Sequence, residues 1–444
     1  MASVYKRGKS FSVVYKVDGK QTWESYKTEA EANKRKIVID YEQMNGTFTP
    51  PSGVMVEEFL TEYVEIYGTT KWGHSTFNNN TAYIKNYINP NIGQWKMKDI
   101  TIKKMDSFFN SLKTQPAVQR AGRGDPGFIS DRCIYEINVL LSSAFDFAVE
   151  HGYIGKNPVT KNACPERKDK KREIWSPETA LYALAICKDL PLLLCMHLSI
   201  ACSMRIGEIT GLKWPFISFG DIDNGYDDAK LQIDAQLQRI STKAFNKLIR
   251  KKENISFIFP ALKENTKTML VLKTLKTDAS RRVVWLPQTT ASILWQHKIE
   301  QEKTKELLGV EYQDYGMVLA HPTGRPMESG KIEDCFVKFI ESHGLPKVDF
   351  HSLRHLSTTV KLKISKGDIK AVQGDTGHAQ AKMVTDTYAH ILDQERQSTA
   401  KKFETQFYGN NNSSPPGDFI DQLLKYCDEN PEAKAKLKNI FSDS

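Results

Sequence analysis

Hydrophobic positions recur with a helical period over long stretches of this chain and alternate in only a few short ones. Val56, Phe59, Leu60, Tyr63 and Tyr67 keep one helical stripe. Ile134, Ile137, Leu140, Leu141, Phe145 and Ala148 keep another, which predicts a helix from about Ser130 to His151, stopped by Gly152 and Asn157-Pro158. The interval between them, with Lys96, Lys98, Lys103 and Lys104, suits further helices, so residues 54–160 read as all-helical.

The first fifty residues carry a different pattern. Phe11 to Val17 alternates like a strand, Asp18-Gly19 is a two-residue hairpin signal, and Gln21 to Tyr26 pairs back. Val4 to Lys6 supplies a third strand, and Thr28 with Glu31 forms a capping box opening a helix to about Met44. Tyr15 and Trp23 either stack on sugar or fill this small core, and one of them is expected in the core. Thr47 to Gly53 reads as a linker.

A larger α+β region follows residues 161–173, whose stretch Lys161–Arg172 holds six basic residues, two acids and no apolar period, a charged linker that is either solvated or laid on phosphates. Ser176-Pro177 reads as an N-cap and first helical residue, Leu190 to Ala201 as an apolar helix, Arg282 to Leu286 as a short strand and Thr289 to Leu308 as a helix. Phe219 to Leu272 suggests sheet with an inserted basic helix. Helical patterns return at Glu328–Ser342, His351–Ile364 and Asp368–Gln373. After the flexible 409–417 stretch comes an amphipathic tail whose apolar face, Phe419, Ile420, Leu423 and Leu424, is covered by the chain's own body or by a neighbouring protomer. The predicted fold class is multidomain: a small α+β unit (three-stranded sheet plus helix) at 1–50, an all-α unit at 54–160, the basic linker 161–173, a mixed, mainly-α unit with a small antiparallel sheet at 174–408, and the tail 409–444.

Composition narrows the class. Among 444 residues, 62 Lys and Arg against 53 Asp and Glu give a net charge of +9, which suits a polyanionic partner. No run of about 18 apolar residues occurs, so a membrane-spanning helix and a membrane partner are not expected. Seven scattered cysteines without a CxxC pair read as small buried hydrophobes in a reducing compartment, and a structural zinc site is not expected.

Four clusters carry candidate chemistry: SMRIGEITGLKW (203–214), LKTDASRRVVWLP (275–287), FHSLRH (350–355) and TGHAQAKMVTDTYAHIL (376–392). Two Arg forks can hold the non-bridging oxygens of a phosphodiester, where charge accumulates during phosphoryl transfer. A tyrosine hydroxyl can be the covalent nucleophile if a base or cationic field activates it. Ser280 lacks a GxSxG context. His355 and His390 read as structural, and Trp214 and Trp285 as core or strand packing.

The series Arg…Lys…HxxR…GH…Tyr resembles the tyrosine recombinase, or phage-type integrase, family, with an overall plan like that of integrases of conjugative transposons from Gram-positive bacteria. The resemblance implies the catalytic set Arg205, Lys276, His351, Arg354, His378 and Tyr388, with Glu208 as a buttress. Lys273 repeats the lysine pattern three residues earlier, but Lys276 sets Ser280 and Arg282 at the family's offsets. His378 and Tyr388 stand ten apart, where nine is expected. Residues 1–50 then resemble an arm-type DNA-binding domain, 54–160 a core-binding domain and 174–408 a catalytic domain.

The implied partners are double-stranded DNA at core and arm sites, a homotetramer on DNA, and accessory excision or DNA-bending factors. No cofactor and no metal are implied, because the phosphodiester bond energy is conserved in a phosphotyrosine, and the implied location is cytoplasmic and DNA-associated. Neighbouring activities with a similar site are a type IB topoisomerase and a telomere resolvase; a catalytically silent DNA-binding regulator is the alternative from another class.

Overall fold

The computed structural model describes residues 2–17, 20–45, 53–119, 125–160, 164–165, 173–248, 254–264, 266–275, 280–365 and 368–377, with 425 and 428–431 near the C-terminus. The Asp18-Gly19 turn, most of the basic linker, Lys276, His378, Tyr388, His390 and the apolar face of the tail lie outside the described residues.

At the N-terminus, β1 (Ser3–Arg7), β2 (Ser10–Val17) and β3 (Lys20–Tyr26) form an antiparallel sheet in that order, with Tyr5 opposite Ser12 and Ser12 opposite Ser25. Helix α1 (Glu29–Met44) covers one face and opens with the expected reciprocal bonds, Glu31 N–H to Thr28 Oγ1 and Thr28 N–H to Glu31 Oε2, each 3.3 Å. Strand alternation sends Val13 and Tyr15 to Ala32 and Ile39 of α1, whereas Trp23 stays 58% exposed. Glu24 sits under this sheet edge, accepting from the Tyr15 hydroxyl at 2.8 Å and from Arg35 Nε at 3.0 Å.

The all-helical region comprises α2 (Val56–Tyr63), α3 (Thr69–Lys71), α4 (His74–Tyr83), α5 (Asn89–Ile92), α6 (Ile102–Leu112) and α7 (Asp131–Glu150). Five-residue π-helical turns at Val64–Gly68 and Ile84–Ile88 join α2 to α3 and α4 to α5. Val56, Phe59, Leu60 and Tyr63 are buried, and Tyr67, across the π turn, stacks on Tyr63 at 5.0 Å. The α7 stripe closes the same core, with Ser130 capping its start.

The third region is organised around α9 (Leu190–Ala201), apolar on every side and therefore central. The region also contains helices α8 (Pro177–Ile186), α10 (Ile206–Thr210), α12 (Gln288–Leu308), α13 (Ser329–Ser342), α14 (His351–Ile364) and α15 (Ile369–Thr376), strands β4 (Ile217–Ser218), β5 (Lys230–Ile233) and β9 (Arg282–Trp285), and an excursion of β6 (Ala235–Ser241), α11 (Thr242–Lys247), β7 (Ile255–Ile258) and β8 (Thr268–Thr274). The strand signals predict one small antiparallel sheet here; the described residues form two, ordered β4-β5-β9 and β6-β8-β7. Chain continuity between β5 and β6 hides this division, because a single residue separates strands that join different sheets.

Trp214 is half-buried and donates to Gln301, but Trp285 is a correction: it stands 62% exposed on the outer side of β9. Cys187, Cys195 and Cys202 are buried as expected of small hydrophobes, while Cys133, Cys164 and Cys335 are partly exposed. Among the described residues no helix is long and apolar enough to cross a membrane.

Candidate active site

The site grows from the turn that ends α9. Ser203 is fully buried with φ of +52°, a left-handed conformation that costs an L-residue roughly 1–2 kcal/mol. Its Oγ lies 2.6 Å from Ser357 Oγ on α14. The turn aims the Ser203 carbonyl at two guanidinium groups: it accepts from Arg354 Nη1 and, at 3.4 Å, from Arg282 Nη2.

Two residues on, Arg205 occupies the N-cap position of α10 and Glu208 the third helical position. That spacing lets Glu208 reach back: Oε2 accepts from the Arg205 backbone N–H at 3.0 Å, and Oε1 accepts from Arg205 Nη1 at 2.7 Å. From β9, Arg282 Nη2 donates to the same carboxylate at 3.0 Å. Glu208 is 1% exposed. Burial opposes its ionisation, but the Arg282 and Arg205 guanidiniums outweigh that cost and hold the carboxyl below its ordinary range.

The same three arginines close on the end of α15. The last carbonyls of a helix have no intrahelical donors and form the negative end of its dipole. Here Arg282 Nε donates to Asp375 O at 2.9 Å, Arg354 Nη2 to Thr376 O at 2.5 Å and Arg205 Nη2 to Gly377 O at 3.4 Å. Gly377, with φ of +62°, terminates the helix and immediately precedes His378 in the chain. Lys361 Nζ pairs with the Asp375 side chain at 2.6 Å.

Arg205 and Arg354, distant in sequence, are thus brought together. Arg354 is 1% exposed, and both its terminal nitrogens donate to carbonyls. Arg205 is the open member, its side chain 35% exposed. His351 begins α14 on the exposed surface, edge-on to His355 at 4.9 Å. Lys273 lies within β8 opposite Gln236, and Lys276 is outside the described residues. Arg205, Arg282, Arg354 and Lys361 against the carboxylates of Glu208 and Asp375 leave an excess of positive charge, which fits an anionic ligand.

Sequence reasoning missed Ser203 and Arg282 as parts of this site. Arg282 alternates inward with Val284 in β9, yet RVVW is apolar on both parities, so the pattern gives no sign of which face is buried. The left-handed turn at Ser203 has no composition signal at all, since neither Gly nor Asn stands there.

Residues 229–395 match the family model described as "Phage integrase family", and residues 55–113 match "Phage integrase, N-terminal SAM-like domain". A "Tyrosine recombinase XerC-like" protein of Caldanaerobacter subterraneus is 24% identical over 400 residues, covering 87% of this chain and 92% of its own. The ICEBs1 integrase of Bacillus subtilis is 22% identical over 282 residues, covering 62% of this chain and 66% of its own. In fold, the chain is similar to the Tn1549 transposon integrase, solved in complex with transposon right end DNA, with a TM-score of 0.60 and 14% identity over 79% of this chain and 99% of that one. The two matched models together span about half of the chain, the second within its helical region and the first over Arg282 and Arg354, and the chain belongs to the phage integrase family of tyrosine recombinases.

Proposed function

We propose that this site-specific DNA recombinase integrates and excises a mobile element, and that Arg205, Lys276, His351, Arg354, His378 and Tyr388 carry its chemistry. The Tyr388 hydroxyl attacks the scissile phosphorus while His351 takes its proton. The bond to the 5′ oxygen breaks, Lys276 protonates that oxygen, and a 3′-phosphotyrosine and a 5′-hydroxyl result. The 5′-hydroxyl of the partner duplex then attacks the phosphotyrosine and releases Tyr388. Arg205 and Arg354 neutralise the charge that builds on the non-bridging oxygens, and His378 donates a hydrogen bond to them.

One strand exchange leaves a Holliday junction and the second resolves it, within four protomers on two core sites. Residues 1–50 hold arm sites, residues 54–160 and 174–408 grip the core site from two sides, and the enzyme works in the bacterial cytoplasm with accessory excision or DNA-bending factors.

The observation that carries this reading is the convergence of Arg205 and Arg354 on the end of α15, the residues directly ahead of His378 and ten further from Tyr388. A nicked suicide duplex bearing the cognate site tests it. The wild-type chain should form a covalent adduct and Tyr388→Phe none; an adduct formed by the Phe variant refutes the assignment.

A further inference from the structure

The stretch from β6 to β8 is an excursion from the catalytic region with its own small core of Leu237, Phe259, Leu270 and Leu272 against Met317. Arg239 fastens it to the entry of α13 by two bonds to Glu328, 2.7 and 2.6 Å long. The helix it carries does not fold back onto that core. Ser241 caps α11, and Ala244 and Leu248, four residues apart on one face, are both fully buried in the cluster that contains Phe59, Leu60 and Phe77 of the helical region. Polar contacts flank the plug: Lys247 Nζ pairs with Glu65 Oε1 at 2.9 Å, and Gln238 Nε2 donates to Ser75 Oγ at 2.9 Å. Lys243 and Lys247 form one wall of a groove of about 480 Å³ whose other side includes Leu60, Val64 and Ile84.

We propose that β6–α11–β7 is an intramolecular latch, in which the catalytic region plugs Ala244 and Leu248 into the helical region and so sets the spacing of the two units before DNA arrives. The apolar plug dominates, because burying a leucine outweighs an exposed ion pair such as Lys247–Glu65 several-fold. Without the plug, the polypeptide at 161–173 is the tether between the units, and each must find its face of the duplex separately. A fixed spacing removes that orientational search, which is how preorganisation raises affinity. The inference rests on the two-sided grip proposed above only for its DNA arm.

The test uses the full-length chain with Ala244→Asn and Leu248→Asn together, which leave net charge unchanged. A second variant replaces residues 242–248 by a Gly-Ser stretch of equal length, in case the first unfolds the helical region, as circular dichroism would show. Without DNA, the latch predicts a larger radius of gyration in X-ray scattering and a second thermal transition. On a core-site duplex it predicts binding weaker by about tenfold with an unchanged dependence on salt, since no phosphate contact is lost. Unchanged scattering with a single transition overturns the latch. So does tighter binding, which would make the contact inhibitory, or a shallower salt dependence, which would make α11 a DNA contact. Failure of the covalent-adduct test leaves the DNA-free measurements standing, so the two readings fail separately.

Discussion

Glu208→Gln isolates the part of the site that sequence motifs describe least. The carboxylate is buried and joins Arg205 to Arg282, and the glutamine keeps its shape while removing its charge. Removing one partner of a buried ion pair typically costs about 3–5 kcal/mol, because the other charge is stranded. The Arg205 half of the pair is one-third exposed and adds little, and the amide retains one acceptor, so about 3 kcal/mol is expected. For a unit of this size that lowers the melting temperature by roughly 6–12 °C.

The pH dependence follows from the carboxyl being held below its ordinary range. A carboxyl so depressed contributes its full stability above its unfolded pKa of about 4.3 and loses it as pH falls through the folded value. The gap between wild type and variant should therefore be constant above about pH 5 and shrink below it. Calorimetry across that range, with adduct formation on the suicide duplex, reads both effects. Replacing both ends of the buried pair, Glu208→Leu with Arg282→Met, should recover much of the stability. It should still slow adduct formation by about 100-fold, since Arg205 has lost its tether and small misplacements are costly in catalysis. A Glu208→Gln chain within 1 kcal/mol of wild type that forms adduct at the normal rate would refute this account.

Arg354→Ala should reduce cleavage at least about 100-fold, equivalent to roughly 3 kcal/mol of transition-state stabilisation, measured by single-turnover adduct formation; a near-normal rate contradicts its role. At Ser203, glycine relieves the positive φ but forfeits the buried bond to Ser357, so its net cost should stay at about 1 kcal/mol. Valine there should destabilise by about 2 kcal/mol or more in urea unfolding, and equal midpoints for the two variants would remove the argument that this turn is strained.

Much of this molecule is legible in its sequence because the chemistry that shapes it is local. The Thr28–Glu31 box, the Ser130 and Ser176 caps, the hairpin strands and the stripes of α2 and α7 all depend on residues a few positions apart, and each appears where those residues demand it. Arg205 and Arg354 are readable as candidates because family motifs are themselves short, and Glu208 as a buttress because its three-residue spacing is an N-terminal helix relation. What no local rule can supply is partnership across distance. That Ser203, 79 residues before Arg282 and 151 before Arg354, turns its carbonyl toward both is decided by how α9 packs on α14. That the helical core takes two apolar side chains from α11 and the residue that caps its end, about a hundred residues after α7, is likewise settled by packing. Hydrogen-bond direction, burial of charge and the choice of strand face are properties of the assembled interior, where desolvation leaves each polar group only the partners that the fold brings to it.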